Sequence, residues 1–129
     1  MRPSDSKPKS PERLAAETFG RHGETLAAWF LRLKGYRIRA VRMKTPVGEI
    51  DLVAERFGTT VFIEVKSRKT LAGEFDAEPA INRRRIVRAS QYYIARHPHL
   101  ATRTLRFDVI FLAPFTWPRH VVNAFDASP

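Results

Sequence analysis

Apolar and polar positions change their period several times along the chain. From Glu12 to Lys34 apolar residues recur at helical spacing, with Leu26, Phe30 and Leu33 on one stripe; Gly20 and Gly23 divide the pattern and Gly35 ends it. Tyr36 to Met43 alternates apolar and basic residues as a half-exposed strand does. Glu49 to Ala54 and Thr60 to Val65 read as two strands joined through ERFGTT, a hairpin signal. After a long loop containing Gly73, Pro79 opens a helix running to about His97, just before Pro98, with Ile86, Ser90, Tyr93 and Ile94 as its stripe. Leu105 to Leu112 is a further strand, and Val121 to Phe125 is a short last one after the turn APFTWP. A helical crossover makes the strands on either side of it parallel, whereas the preceding hairpin is antiparallel. The order therefore predicts an α/β fold: a mixed sheet, an antiparallel meander plus a parallel strand after the crossover, flanked by helices.

The opening MRPSDSKPKSP lacks periodic apolar positions, so residues 1–11 are expected to be a disordered basic tail and residues 12–129 one domain. No apolar run approaches the roughly 18 residues of a spanning helix, and the N-terminus does not resemble a signal peptide, so a cytoplasmic protein without a membrane partner is expected. The absence of Cys excludes disulfides, thiolate catalysis and Cys-based zinc sites. A formal net charge of +10 and a pI near 10.8 suit an anionic partner, nucleic acid foremost.

Charge within the hairpin strands narrows the picture. Phe57 suits poorly the positive φ of a two-residue type I′ turn, so a four-residue loop from Arg56 to Thr59 is expected. Either even-length loop sets Asp51 opposite Glu64 and Glu49 opposite Lys66. Period-two alternation would put those four on one face and Ile50, Leu52, Ile63 and Val65 on the other. Two opposed carboxylates repel, the more so when partly buried, and a divalent cation offsets the repulsion. Mg²⁺ commonly uses one or two carboxylates and keeps sites for water and substrate phosphate. Lys66 could then place an attacking water or stabilise charge on phosphorus. The plainer alternative is a cross-strand ion pair of Glu49 with Lys66, with Asp51 and Glu64 at a wet sheet edge; an odd register would dissolve the site altogether.

GEIDLVA, VFIEVKSR, RFDVI and a final NAF, spread from about Gly20 to Phe125, resemble the YraN-like family of bacterial proteins. That resemblance implies a restriction-endonuclease-like fold with a PD-(D/E)xK active site, also found in archaeal Holliday-junction resolvases. Carried over, it makes Asp51 and Glu64 ligands of Mg²⁺ or Mn²⁺, the Val65 carbonyl a further ligand, Lys66 the catalytic lysine and Glu24 a helix-borne acid beside them. Ala27, Ala28 and Leu31 share the helical face of Glu24 and could lay it on the sheet; alternatively Glu24 is a first-turn acid favoured by the helix dipole. Two departures stand out. Ile50 rather than Pro precedes Asp51, as GEID is how this family writes the motif, and Asn82 stands where the family has a Lys near the start of the second helix.

Basic residues supply the binding surface. Arg83, Arg84, Arg85 and Arg88 sit at the start of the second helix, while Arg42, Lys44 and Arg68 flank the hairpin; any such run is by default a solvated face, but the net charge favours phosphate contact. Trp29, Tyr92 and Tyr93 read as core aromatics, and Trp117 as exposed in its turn. Asp108, which interrupts an apolar strand, is expected to be hydrogen-bonded within the fold, with an Arg as candidate partner. His97 and His99 flank Pro98 without clustered acids, so no zinc site is expected there. The leading reading is a metal-dependent endonuclease acting on DNA, branched or single-stranded, and the resolvase resemblance hints at a homodimer. The competing one is a non-catalytic nucleic-acid-binding module of the same fold.

Overall fold

The structure, a computed structural model, describes residues 22–68 and 80–125. The expected basic tail, the first piece of the helical pattern and the loop containing Gly73 lie outside them. Helix α1 (Gly23–Leu33) leads into strands β1 (Arg37–Thr45), β2 (Gly48–Arg56) and β3 (Thr59–Ser67); helix α2 (Ala80–Ala95) and a 3-10 turn (Pro98–Thr102) lead into β4 (Thr104–Leu112) and β5 (Arg119–Phe125). The strands form one sheet in the order β1-β2-β3-β4-β5. Only β3 and β4 run parallel; the other three pairs are antiparallel, as the crossover argument requires.

Alternation along the central strands distributes two cores. Leu52, Ala54, Val61, Ile63, Ile110 and Leu112 face Ala27, Ala28 and Leu31 of α1. Val53, Phe62 and Phe107 face Ile86, Ala89 and Tyr93 of α2. The helices thus cover opposite faces of the sheet. Each fully buried Leu, Ile or Phe in these layers contributes roughly 1.5–3 kcal/mol relative to exposure. Ser90, buried in the α2 stripe, satisfies its hydroxyl by donating to the Val87 carbonyl at 2.6 Å.

The stripe expected on α1 is corrected in its phase. Leu26 and Leu33 are exposed, and the buried residues are Gly23, Ala27, Ala28 and Leu31. Small side chains let the helix axis approach the sheet: a Cβ at Gly23 would stand 3.2 Å from Ser67 Oγ and 3.4 Å from Leu112 Cδ1. Larger residues at the same phase would hold the helix off. Trp29, expected in the core, is likewise exposed, with the Arg32 guanidinium 5.1 Å from its ring centroid. Gly35, at φ +90°, ends α1 while Tyr36 N–H donates to the Leu31 carbonyl at 3.0 Å.

The hairpin loop is also corrected. Arg56 pairs with Thr59, leaving the two residues Phe57 (φ 50°) and Gly58 (φ 79°) in the turn. A turn with both φ positive matches the strand twist; Phe57 holds that conformation in solvent, with the Arg56 guanidinium 5.2 Å from its ring centroid. Because both loop lengths are even, the register is the expected one, from Leu52 opposite Ile63 to Arg56 opposite Thr59.

Candidate active site

The β2–β3 ladder stops at the Leu52–Ile63 pair. At the next position Asp51 replaces a backbone acceptor with its side chain: Val65 N–H donates to Asp51 Oδ2 at 2.8 Å. On the opposite side, pairing of β1 with β2 skips Arg42 opposite Asp51, and Arg42 takes φ 50°. Asp51 therefore sits where three strands loosen together.

This local irregularity corrects the expected division of faces. Ile50 joins the α2 core with Val53 and Phe62, while Leu52, Ile63 and Val65 pack toward α1. A regular strand would have kept Ile50 with Leu52; the start of β2 turns over by one residue where the β2–β3 ladder ends, opposite the positive φ of Arg42. Glu64 and Lys66 alternate with Ile63 and Val65 and so point to the α2 side of the sheet.

Asp51 and Glu64 line one small cavity of about 40 Å³, together with Glu49, Ile50, Ile63 and Ile86. Burial pushes the Asp51 carboxyl up to about 6, and the negative charges of Glu24 and Glu49 add to the rise, against the Val65 hydrogen bond and the Lys66 charge. Lys66 Nζ lies 3.3 Å from Glu64 Oε2, and Arg42 Nη1 lies 3.9 Å from Glu24 Oε1. Four acids thus gather around the end of the hairpin, with two cations set against them.

The basic candidates divide. Arg84, Arg85 and Arg88 are exposed on α2, Arg83 is half-buried, and Asn82 lies in the first turns of that helix. The helix is seated directly on the hairpin start: a Cβ at Gly48 would stand 3.1 Å from the Arg85 carbonyl oxygen. Ile86, which follows Arg85 in the same helix, lines the cavity. Lys44 is exposed on β1, at the sheet edge. Arg68 is exposed beyond β3, its guanidinium 6.0 Å from the Phe111 ring centroid and donating to the Ser67 carbonyl at 3.1 Å. Arg42, read from the sequence as a phosphate ligand, is exposed and faces Glu24; its positive φ in mid-strand has no signature in the sequence. Glu55, unremarked there, lies 3.8 Å from both Arg39 and Arg103.

Asp108 is placed within the fold as its strand position demands. It is fully buried, and Arg106 donates to it from Nε at 2.9 Å and from Nη2 at 2.8 Å. The His120 contact was not foreseen: Nε2 lies 2.7 Å from Asp108 Oδ2. Among the described residues no helix is long and apolar enough to cross a membrane.

Relatives match the chain nearly end to end. The chain is 46% identical over 127 residues to the UPF0102 protein BRADO0179 of Bradyrhizobium sp. (strain ORS 278), covering 98% of this chain and 90% of that one. To a UPF0102 protein of Rhodopseudomonas palustris (strain BisA53) it is 47% identical over 123 residues, 95% of each chain. To that of Parvibaculum lavamentivorans it is 43% identical over 133 residues, 97% of this chain and 98% of the relative. The model of the uncharacterised protein family UPF0102 matches residues 23–112, which run from the start of α1 through the hairpin acids to the end of β4. The chain therefore belongs to the UPF0102 family, the YraN-like family that its GEIDLVA and VFIEVKSR strands resemble.

Proposed function

We propose that the protein is a metal-dependent phosphodiesterase that cuts DNA, with branched or single-stranded DNA as its substrate. The observation that carries this reading is the shared cavity of Asp51 and Glu64, lined by a half-buried Asp51 carboxylate whose charge is disfavoured by its surroundings. A protein that leaves acids in mutual repulsion at a strand end gains from a cation there.

The donor set suits a hard cation. Asp51, Glu64 and the Val65 carbonyl offer oxygen only, and the Val65 N–H fixes one Asp51 oxygen so that the other can serve as ligand. Bound there, Mg²⁺ or Mn²⁺ would lower the pKa of a coordinated water and neutralise charge on the scissile phosphate. Lys66, already drawn to Glu64, would turn its ammonium to the phosphate oxygens as charge builds on them. Glu24 would accept a hydrogen bond from water at the site, and Arg84, Arg85 and Arg88 would hold neighbouring phosphates without reading sequence.

A second reading rests on its own observation. Among the described residues no three His, Asp or Glu side chains form a metal-binding group, and Lys66 and Arg42 already face acids of the site. On that reading the fold is a DNA-binding module in which internal ion pairs replace the cation. Incubating the protein with branched, single-stranded and duplex DNA in Mg²⁺, Mn²⁺ or EDTA separates the two. The nuclease reading expects metal-dependent cleavage that Lys66→Ala abolishes while DNA affinity persists. Tight binding by the wild type with no cleavage in either metal would overturn it.

A further inference from the structure

Away from the hairpin acids, a second polar cluster joins the end of α1 to β4 and β5. At its centre the fully buried Asp108 carboxylate accepts from Arg106, from the Asn123 N–H at 2.9 Å and from His120 Nε2 at 2.7 Å. Arg106 Nη2 also donates to the Tyr36 hydroxyl at 2.6 Å. The His120 side chain is 3% exposed, and its other nitrogen, Nδ1, lies 2.6 Å from Lys34 Nζ. Lys34 is solvent-exposed at the end of α1.

The proton positions follow from valence. Burial would raise the Asp108 pKa, but hydrogen bonds from His120, Arg106 and Asn123 outweigh it, so the carboxyl is held below its usual range and stays ionised. An ionised carboxylate only accepts, so His120 Nε2 carries hydrogen and Nδ1 turns its lone pair to Lys34. The series Asp108, His120, Lys34 is thus a carboxylate, an imidazole and an amine in line, ending in water. Burial and then the Arg56 charge lower the Lys34 pKa, with Arg106 adding to the effect and Asp108 opposing it.

We infer that Lys34 is a nucleophilic amine, unmasked by His120 and Asp108, that takes an acyl group from an acyl phosphate. Nδ1 removes one proton from the ammonium, and Asp108 stabilises the imidazolium that results. The free amine lone pair then attacks the acyl carbon and forms the C–N bond. The C–O bond to phosphate breaks, and phosphate leaves with its electron pair and the second amine proton. His120 returns the first proton to water, so the products are an acyl-lysine and inorganic phosphate.

The donor class follows from the charges around the amine. Arg56 donates from Nη1 to the Lys34 carbonyl at 2.7 Å, and its guanidinium lies 4.7 Å from the Tyr36 ring centroid. Arg106 stands behind it. An acyl donor with an anionic leaving group is drawn to such a site, and an uncharged one is not.

The test uses the full chain with acetyl phosphate and follows acetylation of each lysine by peptide mass spectrometry. Lys44, exposed on β1, is the internal comparison. Lys34 is expected to react several-fold faster than Lys44 and its pH–rate curve to rise at lower pH, because burial and the Arg56 charge favour its free amine. Equal rates with superimposable pH curves in the wild type would overturn the inference, whatever any variant does. His120→Gln is expected to bring Lys34 down to the Lys44 rate, and an unchanged rate in folded protein would refute the role of His120. Arg56→Gln should slow acetyl phosphate more than an uncharged N-hydroxysuccinimide acetate, since both lose the charge that favours the free amine but only acetyl phosphate loses an attraction for its leaving group; equal effects on both would refute the donor class. None of Lys34, His120 and Asp108 lines the cavity of Asp51 and Glu64, and none of these outcomes depends on nuclease activity.

Discussion

Asp51 concentrates the electrostatic tension of the site in one side chain. Its carboxyl is raised to about 6 by burial first and by Glu24 and Glu49 next. A carboxylate with a raised pKa in the folded state destabilises that state where it is ionised, above about pH 6, and the penalty fades as pH falls toward the unfolded value. Asn at this position keeps the acceptor for Val65 N–H and removes the charge. Asp51→Asn is therefore expected to stabilise the protein in EDTA at pH 8 by about 1–2 kcal/mol, a few degrees in Tm, and to lose most of that advantage by pH 4. Thermal melts at the two pH values decide it; a less stable variant at pH 8 would mean that Asp51 serves the fold as an anion.

Among the elements, the β2–β3 hairpin and α2 act as a unit. Gly48 lets the start of β2 lie against the helix backbone, and a Cβ there would meet the Arg85 carbonyl oxygen at 3.1 Å. Backbone cannot give way as a side-chain tip can, so Gly48→Ala is expected to cost about 1–3 kcal/mol in denaturant-unfolding experiments. It should also weaken DNA binding by shifting Arg84 and Arg85. Unchanged stability would show that the helix is free to retreat. Much of this level is legible in sequence, because alternation and the crossover rule need only the spacing of apolar residues. The order of strands, the parallel β3–β4 pair and the register of the hairpin follow from it. Phe57 hid the short loop because its cost at positive φ is local, whereas the gain in strand twist belongs to the whole hairpin. The phase of α1 was hidden because Leu26, Phe30 and Leu33 are the larger apolar residues, while Gly23, Ala27 and Ala28 are buried for being small. The conformation of Arg42 could not be read at all: a positive φ in mid-strand leaves no mark on the spacing of apolar residues.

For the whole molecule, charge and topology point the same way. A net +10 chain with exposed arginines on α2 should bind nucleic acid chiefly through phosphates. Replacing Arg84, Arg85 and Arg88 together by Gln is expected to weaken binding to all DNA sequences alike. The slope of log K against log salt should fall by as much as about 3. Filter-binding at several salt concentrations measures it, and an unchanged slope would move the interface elsewhere. The central claim, that Asp51 and Glu64 share a divalent cation, is tested most directly by titrating Mn²⁺ into ¹⁵N-labelled protein bound to uncleaved DNA. Paramagnetic broadening is expected first at the amides of Asp51, Glu64 and Val65, and is expected to vanish from them in Asp51→Asn. Broadening that begins elsewhere, or that survives the substitution, would contradict the account.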